Sequence, residues 1–395
     1  MPFAAALSQH PITAQAVGET VGQVLEKLGP APDLALLFVT PPHAGALEDA
    51  GAAVATALGP RTLLGCAAVS VVGTGREVEE EPAVSLWAGR FGPVAPVRLV
   101  AHQLGPTMDI VGWPDGLSFE PQALVLVADP FSFPMEAFYE ELDRRYGRLP
   151  VIGGNASAAR GPGGNRLVLG GRGFSSGAVG AFIGPGVDVE TVVSQGCRPI
   201  GQPYVVTRAE GNVVHELAGE PALERLIHMA NTGMSEKDVA LINRGLHVGQ
   251  VIDEHKLDFE RGDFLVRNVV GADQEGGAIA VNDVVEVGTT VQFHVRDAAT
   301  ADEDLRHMLG TRKADGALLF TCNGRGVRLF GTPDHDASVM DDSVGAPTGG
   351  FFAAGEFGPI GGRNFVHGFT ASVALLRERR DDQVSVPTPA NRVSE

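Results

Sequence analysis

The sequence predicts a layered α/β to α+β fold, with mixed β-sheets covered by helices and two related halves. Three observations carry that prediction. An apolar strand three times runs into a helical stretch and then into a second strand broken by small residues and glycine: 34–39 returning at 63–66, 123–127 returning at 151–155, and 317–321 returning at 348–352. Each return comes about 30 residues on, the length of a strand-helix-strand crossover. Residues 124–127 and 318–320 are apolar on both faces, as in strands buried on both sides. Strands also outnumber helices, so the helices must lie over sheets.

Along the chain, residues 13–28 set Ala16, Val17, Val21, Val24, Leu25 and Leu28 on one helical face, and Gly29-Pro30 ends the helix. The first strand unit follows, with an Ala/Gly-rich helix over 47–58. Residues 83–91 and 94–102 read as strands split by Gly92-Pro93. The second unit has a helix over 135–146, where Phe138, Leu142 and Tyr146 share a face. Strands follow at 166–169 and 178–183, with a turn at Gly170-Gly171-Arg172-Gly173 between them. Residues 204–208 and 213–217 flank Glu210-Gly211-Asn212, a hairpin connection. Pro221 opens a helix over 221–231, where its missing N–H costs nothing. Strands are expected at 264–270, 278–281 and 290–296, then a helix at 299–309 before the third unit. The chain so read has a helical lead-in (1–32), an N-terminal domain (33–198), a C-terminal domain (199–376) and a disordered tail rich in charge, Pro and Ser (377–395).

Acidic residues number 48 against 30 basic ones, a net charge of −18. Phosphate binding needs clustered Lys and Arg, so no nucleic-acid partner is expected, and anionic membrane surfaces are disfavoured too. No apolar run approaches the ~18 residues that span a bilayer, and the start lacks the basic region and long apolar run of a signal peptide. Three cysteines, Cys66, Cys197 and Cys322, stand far apart with no CxxC pair. That gives no disulfide framework and no zinc pattern, and suits a reducing cytoplasm.

Several ordered blocks carry a resemblance. Gly196-Cys197-Arg198-Pro199-Ile200-Gly201 is followed by Val205-Val206-Thr207, Gly211-Asn212-Val213-Val214 and Glu216-Leu217-Ala218-Gly219. Leu64-Gly65-Cys66 and Val151-Ile152-Gly153-Gly154-Asn155-Ala156 precede them. Phe320-Thr321-Cys322-Asn323-Gly324-Arg325-Gly326, Gly349-Gly350-Phe351-Phe352 and Gly355-Glu356-Phe357-Gly358-Pro359 come after. Over residues 33–376 the chain resembles the FIST family, proteins with paired FIST N-terminal and C-terminal domains. The resemblance implies a sensory, ligand-binding module of signal transduction, with an amino acid or similar small metabolite as ligand. Many relatives are fused to signalling output domains, and eukaryotic ones to an F-box. No such segment accompanies the blocks here, so a separate signalling partner protein is expected.

The candidate binding residues come from strand ends, where α/β proteins present ligand groups. Arg325 can fork onto a carboxylate or phosphate, and Asn323 can both donate and accept. Glu356 can meet an ammonium group. Together Arg325 and Glu356 would suit a zwitterion, or they could simply pair with each other inside the protein. Asn155, Gly153, Gly154 and Gly350 complete the expected shell, with glycine baring backbone either to a ligand or to a neighbouring strand. The expectation is one recess built from glycine-rich strand ends of both halves.

No cofactor is expected: the Gly153-Gly154-Asn155 and Gly161-Pro162-Gly163-Gly164 stretches lack a P-loop lysine and a true GxGxxG crossover. No metal site is expected either, since the acidic run over 253–263 fits no EF-hand or zinc spacing and reads as a solvated loop. A cytoplasmic small-ligand-binding protein is therefore the first reading, and an enzyme is not. The alternatives are a thiol-dependent enzyme using Cys197 or Cys322, with His215 or His367 as base, and a protein-interaction scaffold.

Overall fold

In a computed structural model, residues 2–105, 107–232 and 234–379 are described. The expected tail lies outside them from residue 380 onward, and Arg377 and Glu378 instead end the Thr370–Glu378 strand. Among the described residues no helix is long and apolar enough to cross a membrane.

The architecture is α+β: mixed sheets carry helices on their outer faces, and each strand-helix-strand reading becomes a parallel pair. Leu34–Val39 lies beside Thr62–Ala67, Ala123–Ala128 beside Val151–Asn155, and Gly316–Cys322 beside Thr348–Ala353. All six strands are buried along their whole length, as double-sided apolar runs require.

Three sheets repeat one plan. A lead strand pairs with a closing strand, the closing strand with the first strand of a parallel pair, and the return strand with a hairpin taken from another unit. The hairpin Ser70–Gly73/Arg76–Glu79 leaves the first unit and joins the third unit's return strand. The hairpin Glu356–Ile360/Arg363–His367 leaves the third and joins the second. The hairpin Leu167–Leu169/Arg172–Phe174 leaves the second and joins the first. The exchange closes a cycle.

Between the sheets lies one apolar core to which all three contribute, with Phe38, Ile152, Phe320 and Phe351 among its members. Phe38 and Phe351 approach to 4.9 Å between ring centroids. The outer faces are covered by the Thr13–Leu28 and Leu47–Leu58 helices, by Met135–Tyr146, and by Ala298–Leu309 with His335–Ser343. The sequence expected no strand at the N-terminus, yet Phe3–Ser8 is the lead strand of the first sheet.

Residues 197–296 leave this body. They form a curled antiparallel sheet in which Cys197–Glu210 pairs with Thr290–Arg296 at one end and with Val213–Leu217 at the other. The hairpin through Gly211 is as expected, with Glu210 opposite Val213. A core of its own, including Val206, Leu217, Val248 and Phe293, fills it. This curled sheet packs beside the carboxyl ends of the third unit's strands.

Candidate functional site

The three units hold glycine at equivalent points. Gly65 lies opposite Leu37, Gly153 opposite Leu126 and Gly350 opposite Leu319. At each, an added Cβ would overlap the carbonyl oxygen of that same leucine. On the other side these glycines face Val168, Phe357 and Val72 of the exchanged hairpins. Gly153 and Gly350, expected in a ligand shell, thus spend their bare backbone on strand packing. Gly154 does likewise, its Cβ position lying 2.6 Å from the Ala353 Cβ.

At the end of Gly316–Cys322 the chain turns sharply, and the Arg325 N–H donates to the Cys322 carbonyl at 2.8 Å. The turn sends Arg325 inward. Its Nε and Nη2 fork onto Asp336 at 2.7 and 2.8 Å, and both side chains are fully buried. Thr321 Oγ1 also donates to Asp336 at 2.6 Å. Burial opposes a charge on Asp336, but Arg325, with His335 and Thr321, outweighs it and holds the carboxyl well below the usual range. The internal partner of Arg325 is therefore Asp336, and the expected ion pair with Glu356 is replaced.

Glu356 is fully buried and accepts from the Thr370 N–H at 3.1 Å and the Thr370 hydroxyl at 2.7 Å. Burial pushes its pKa up to about 8, against the pull of those bonds and of Arg325. Asn155 stitches units together: its N–H donates to the Gly355 carbonyl at 2.9 Å, and its carbonyl accepts from the Ala354 N–H at 3.0 Å. The buried Asn155 Oδ1 and Arg325 Nη1 have no hydrogen-bond partner among the described residues.

The residue after each unit's first strand shows how the third unit differs. Thr40 donates its N–H to the Ala83 carbonyl and accepts the Ala83 N–H on its hydroxyl at 2.7 Å. Asp129 donates to the Gly177 carbonyl and accepts from Ser132 and Asn165. Both are fully buried. Asn323, the third member, instead donates its N–H to the Ala353 carbonyl at 2.9 Å and leaves its side chain exposed. Two units are sealed here and one is open.

The opening has two sides. A cavity of about 410 Å³ lies between the third unit and the curled sheet, lined by Cys322, Asn323, Gly355 and His367, with Asn268, Asn282 and the Arg267–Asp283 pair opposite. That ion pair is 2.5 Å long. His367 is buried against the Gly358 carbonyl, and burial lowers its pKa to about 4, so it presents a neutral ring. A second cavity of about 410 Å³ meets Asn323 from behind, and there Ser70, Glu79, Ser157 and Arg328 bring residues of all three units together. A shared hollow between both halves exists on that side, whereas the centre between the sheets is filled with hydrocarbon.

The thiols are poorly placed for nucleophilic work. Cys197 and Cys322 are buried, and burial pushes each pKa up to about 12 despite the nearby Arg296 guanidinium. Neither has a histidine hydrogen bond among the described residues.

Sequence reasoning missed Asp336, eleven residues downstream on the His335–Ser343 helix, and the amide and charged wall supplied by residues 267–283. Arg296 was missed too, though its Nη2 donates to the Gly324 carbonyl and its guanidinium lies 5.1 Å above the Phe369 ring. Strand alternation at 264–270 located Arg267 and Asn268 on a strand, but nothing local said which cavity that strand would border.

Comparison with known proteins finds a match to the FIST N domain over residues 33–220 and to the FIST C domain over 222–359. An uncharacterized protein of Mycobacterium tuberculosis is 43% identical over 384 residues, covering 95% of this chain and 100% of its own. An uncharacterized protein of Mycobacterium bovis is 42% identical over 377 residues, covering 93% of this chain and 96% of its own.

Proposed function

The chain belongs to the FIST family, whose domains are associated with signal transduction and small-ligand sensing, and from that premise we propose a cytoplasmic sensor of a small polar metabolite. Its ligand sits in the cavity between the third unit and the curled sheet. The exposure of Asn323, where Thr40 and Asp129 are tied down, carries this reading. Amide groups of Asn323, Asn268 and Asn282 both donate and accept, and Arg267 and Asp283 supply one charge of each sign. A zwitterion such as an amino acid matches that set, its carboxylate turned to Arg267 and its ammonium to Asp283. Arg325, Glu356 and Asn155 hold the turn behind the cavity wall. The signal passes to a separate partner protein.

Calorimetric titration of the full chain with the standard amino acids tests the reading. At least one should bind saturably, and Asn323→Leu should weaken it about tenfold or more, as loss of a buried polar contact does. If none binds, and native mass spectrometry of the purified protein finds no retained metabolite, the sensor reading fails. The thiol-enzyme alternative predicts fast alkylation of Cys197 or Cys322 at neutral pH, which their raised pKa values oppose.

A further inference from the structure

Among the described residues the Phe3–Ser8 strand pairs on one side only, with Val84–Gly89. The Ala5 carbonyl accepts from Lys27 Nζ at 3.4 Å, so it points to the open side. In an antiparallel strand the N–H and C=O of one residue point the same way, and the Ala5 N–H therefore faces that side as well. A cavity of about 420 Å³ runs along it, walled by Phe3, Ala5 and Leu7 of the strand and by Pro347.

Charge sets this cavity apart. Lys27 and Arg76 line it, and no carboxylate does among the described residues. Three other cavities each have an acidic residue in the wall: Asp283, Glu48, or Glu79 with Glu80. In a chain of net charge −18, a recess with two cations and no counter-charge is conspicuous. Lys27 and Arg76 meet neutral acceptors instead: Lys27 the Ala5 carbonyl, and Arg76 the Gln9 side-chain oxygen at 2.7 Å. Asp341 packs against the Gly75 turn but stays outside the lining.

We propose that this cavity binds a small amphipathic carboxylate. The head group sits between Lys27, Arg76 and the Ala5 N–H, where charge-assisted bonds favour an anion. The hydrocarbon lies on Phe3, Leu7 and Pro347. The site is separate from the Asn323 cavity and stands whether or not that one binds an amino acid.

Hexanoate and its neutral analogue hexanamide are the probes, titrated calorimetrically into the full chain. Hexanoate should bind saturably, and hexanamide about tenfold more weakly or worse, because the lost interaction is charge-assisted. The double variant Lys27→Met with Arg76→Met should lose hexanoate binding while keeping the wild-type Tm, since both side chains are exposed. Asn323→Leu should leave it unchanged. No saturable hexanoate binding, equal affinity for the amide, retention in the double variant, or loss in Asn323→Leu would each overturn the assignment.

Discussion

Arg325 and Asp336 carry opposite charges into a fully buried site, and each is tolerable only beside the other. Asp336→Ala leaves a guanidinium buried alone, and should cost about 3–5 kcal/mol, measured as a shift in urea unfolding. Replacing both, Arg325→Met with Asp336→Leu, should recover much of that loss. Arg325→Ala would therefore damage the fold, because it leaves the Asp336 carboxylate buried without its partner. Glu356 sets a pH dependence. Its pKa rises from an ordinary 4.5 to about 8 in the folded protein, so the folded state holds a proton that the unfolded state releases across that window. Its stabilising contribution is complete below about pH 4.5 and is lost as pH rises through about 8, at up to about 1.4 kcal/mol per pH unit. Glu356→Gln should flatten the fall in urea midpoint between about pH 6 and pH 8. The opposite slope comes from His247, His294 and His367, each lowered to about 4 chiefly by burial. Their contribution is present above about pH 6.5 and is lost as pH falls through about 4.

At the scale of elements, glycine does two different things. Gly65, Gly153 and Gly350 cannot gain a Cβ without displacing the neighbouring strand, so each Gly→Ala change should abolish a stable fold, read by circular dichroism and Tm. Gly18 and Gly22 sit in the Thr13–Leu28 helix with nothing within 4 Å of an added Cβ. Alanine there should stabilise by about 0.5–1 kcal/mol, through helix propensity and a less flexible unfolded chain. The parallel pairs were legible because a strand buried on both faces leaves a continuous apolar run, and their return distances followed from crossover length. The exchanged hairpins were not. Ser70–Gly73 and Glu356–Ile360 are short, and what completes them is a strand far away in the chain, which local periodicity does not encode. Asn323 was legible as a polar residue at a strand end. Its difference from Thr40 and Asp129 lies in which backbone groups each meets across the sheet, and that depends on register between distant strands.

At the scale of the molecule, the cyclic exchange means that two of the three sheets draw strands from both halves. The second sheet includes strands from residues 356–367, and the third includes strands from 70–79. A chain cut between residues 220 and 221 would divide the curled sheet as well, parting Val213–Leu217 from Ala278–Val281. The 1–220 piece alone should aggregate or remain unfolded by size exclusion and circular dichroism. Co-expression with 221–395 should restore a folded complex. The intact three-sheet body should unfold in one calorimetric transition, because losing any hairpin exposes the edge of another sheet.

Those borrowed hairpins also bear on synthesis at the ribosome. Val151–Asn155 emerges first, and the strand that covers its edge, Glu356–Ile360, is translated only after the intervening residues 156–355. Over that stretch of elongation the nascent polypeptide must carry a naked sheet margin, a template for wrong pairing with other chains. Chaperone demand should therefore peak late, and fall only once the last hairpin has left the exit tunnel.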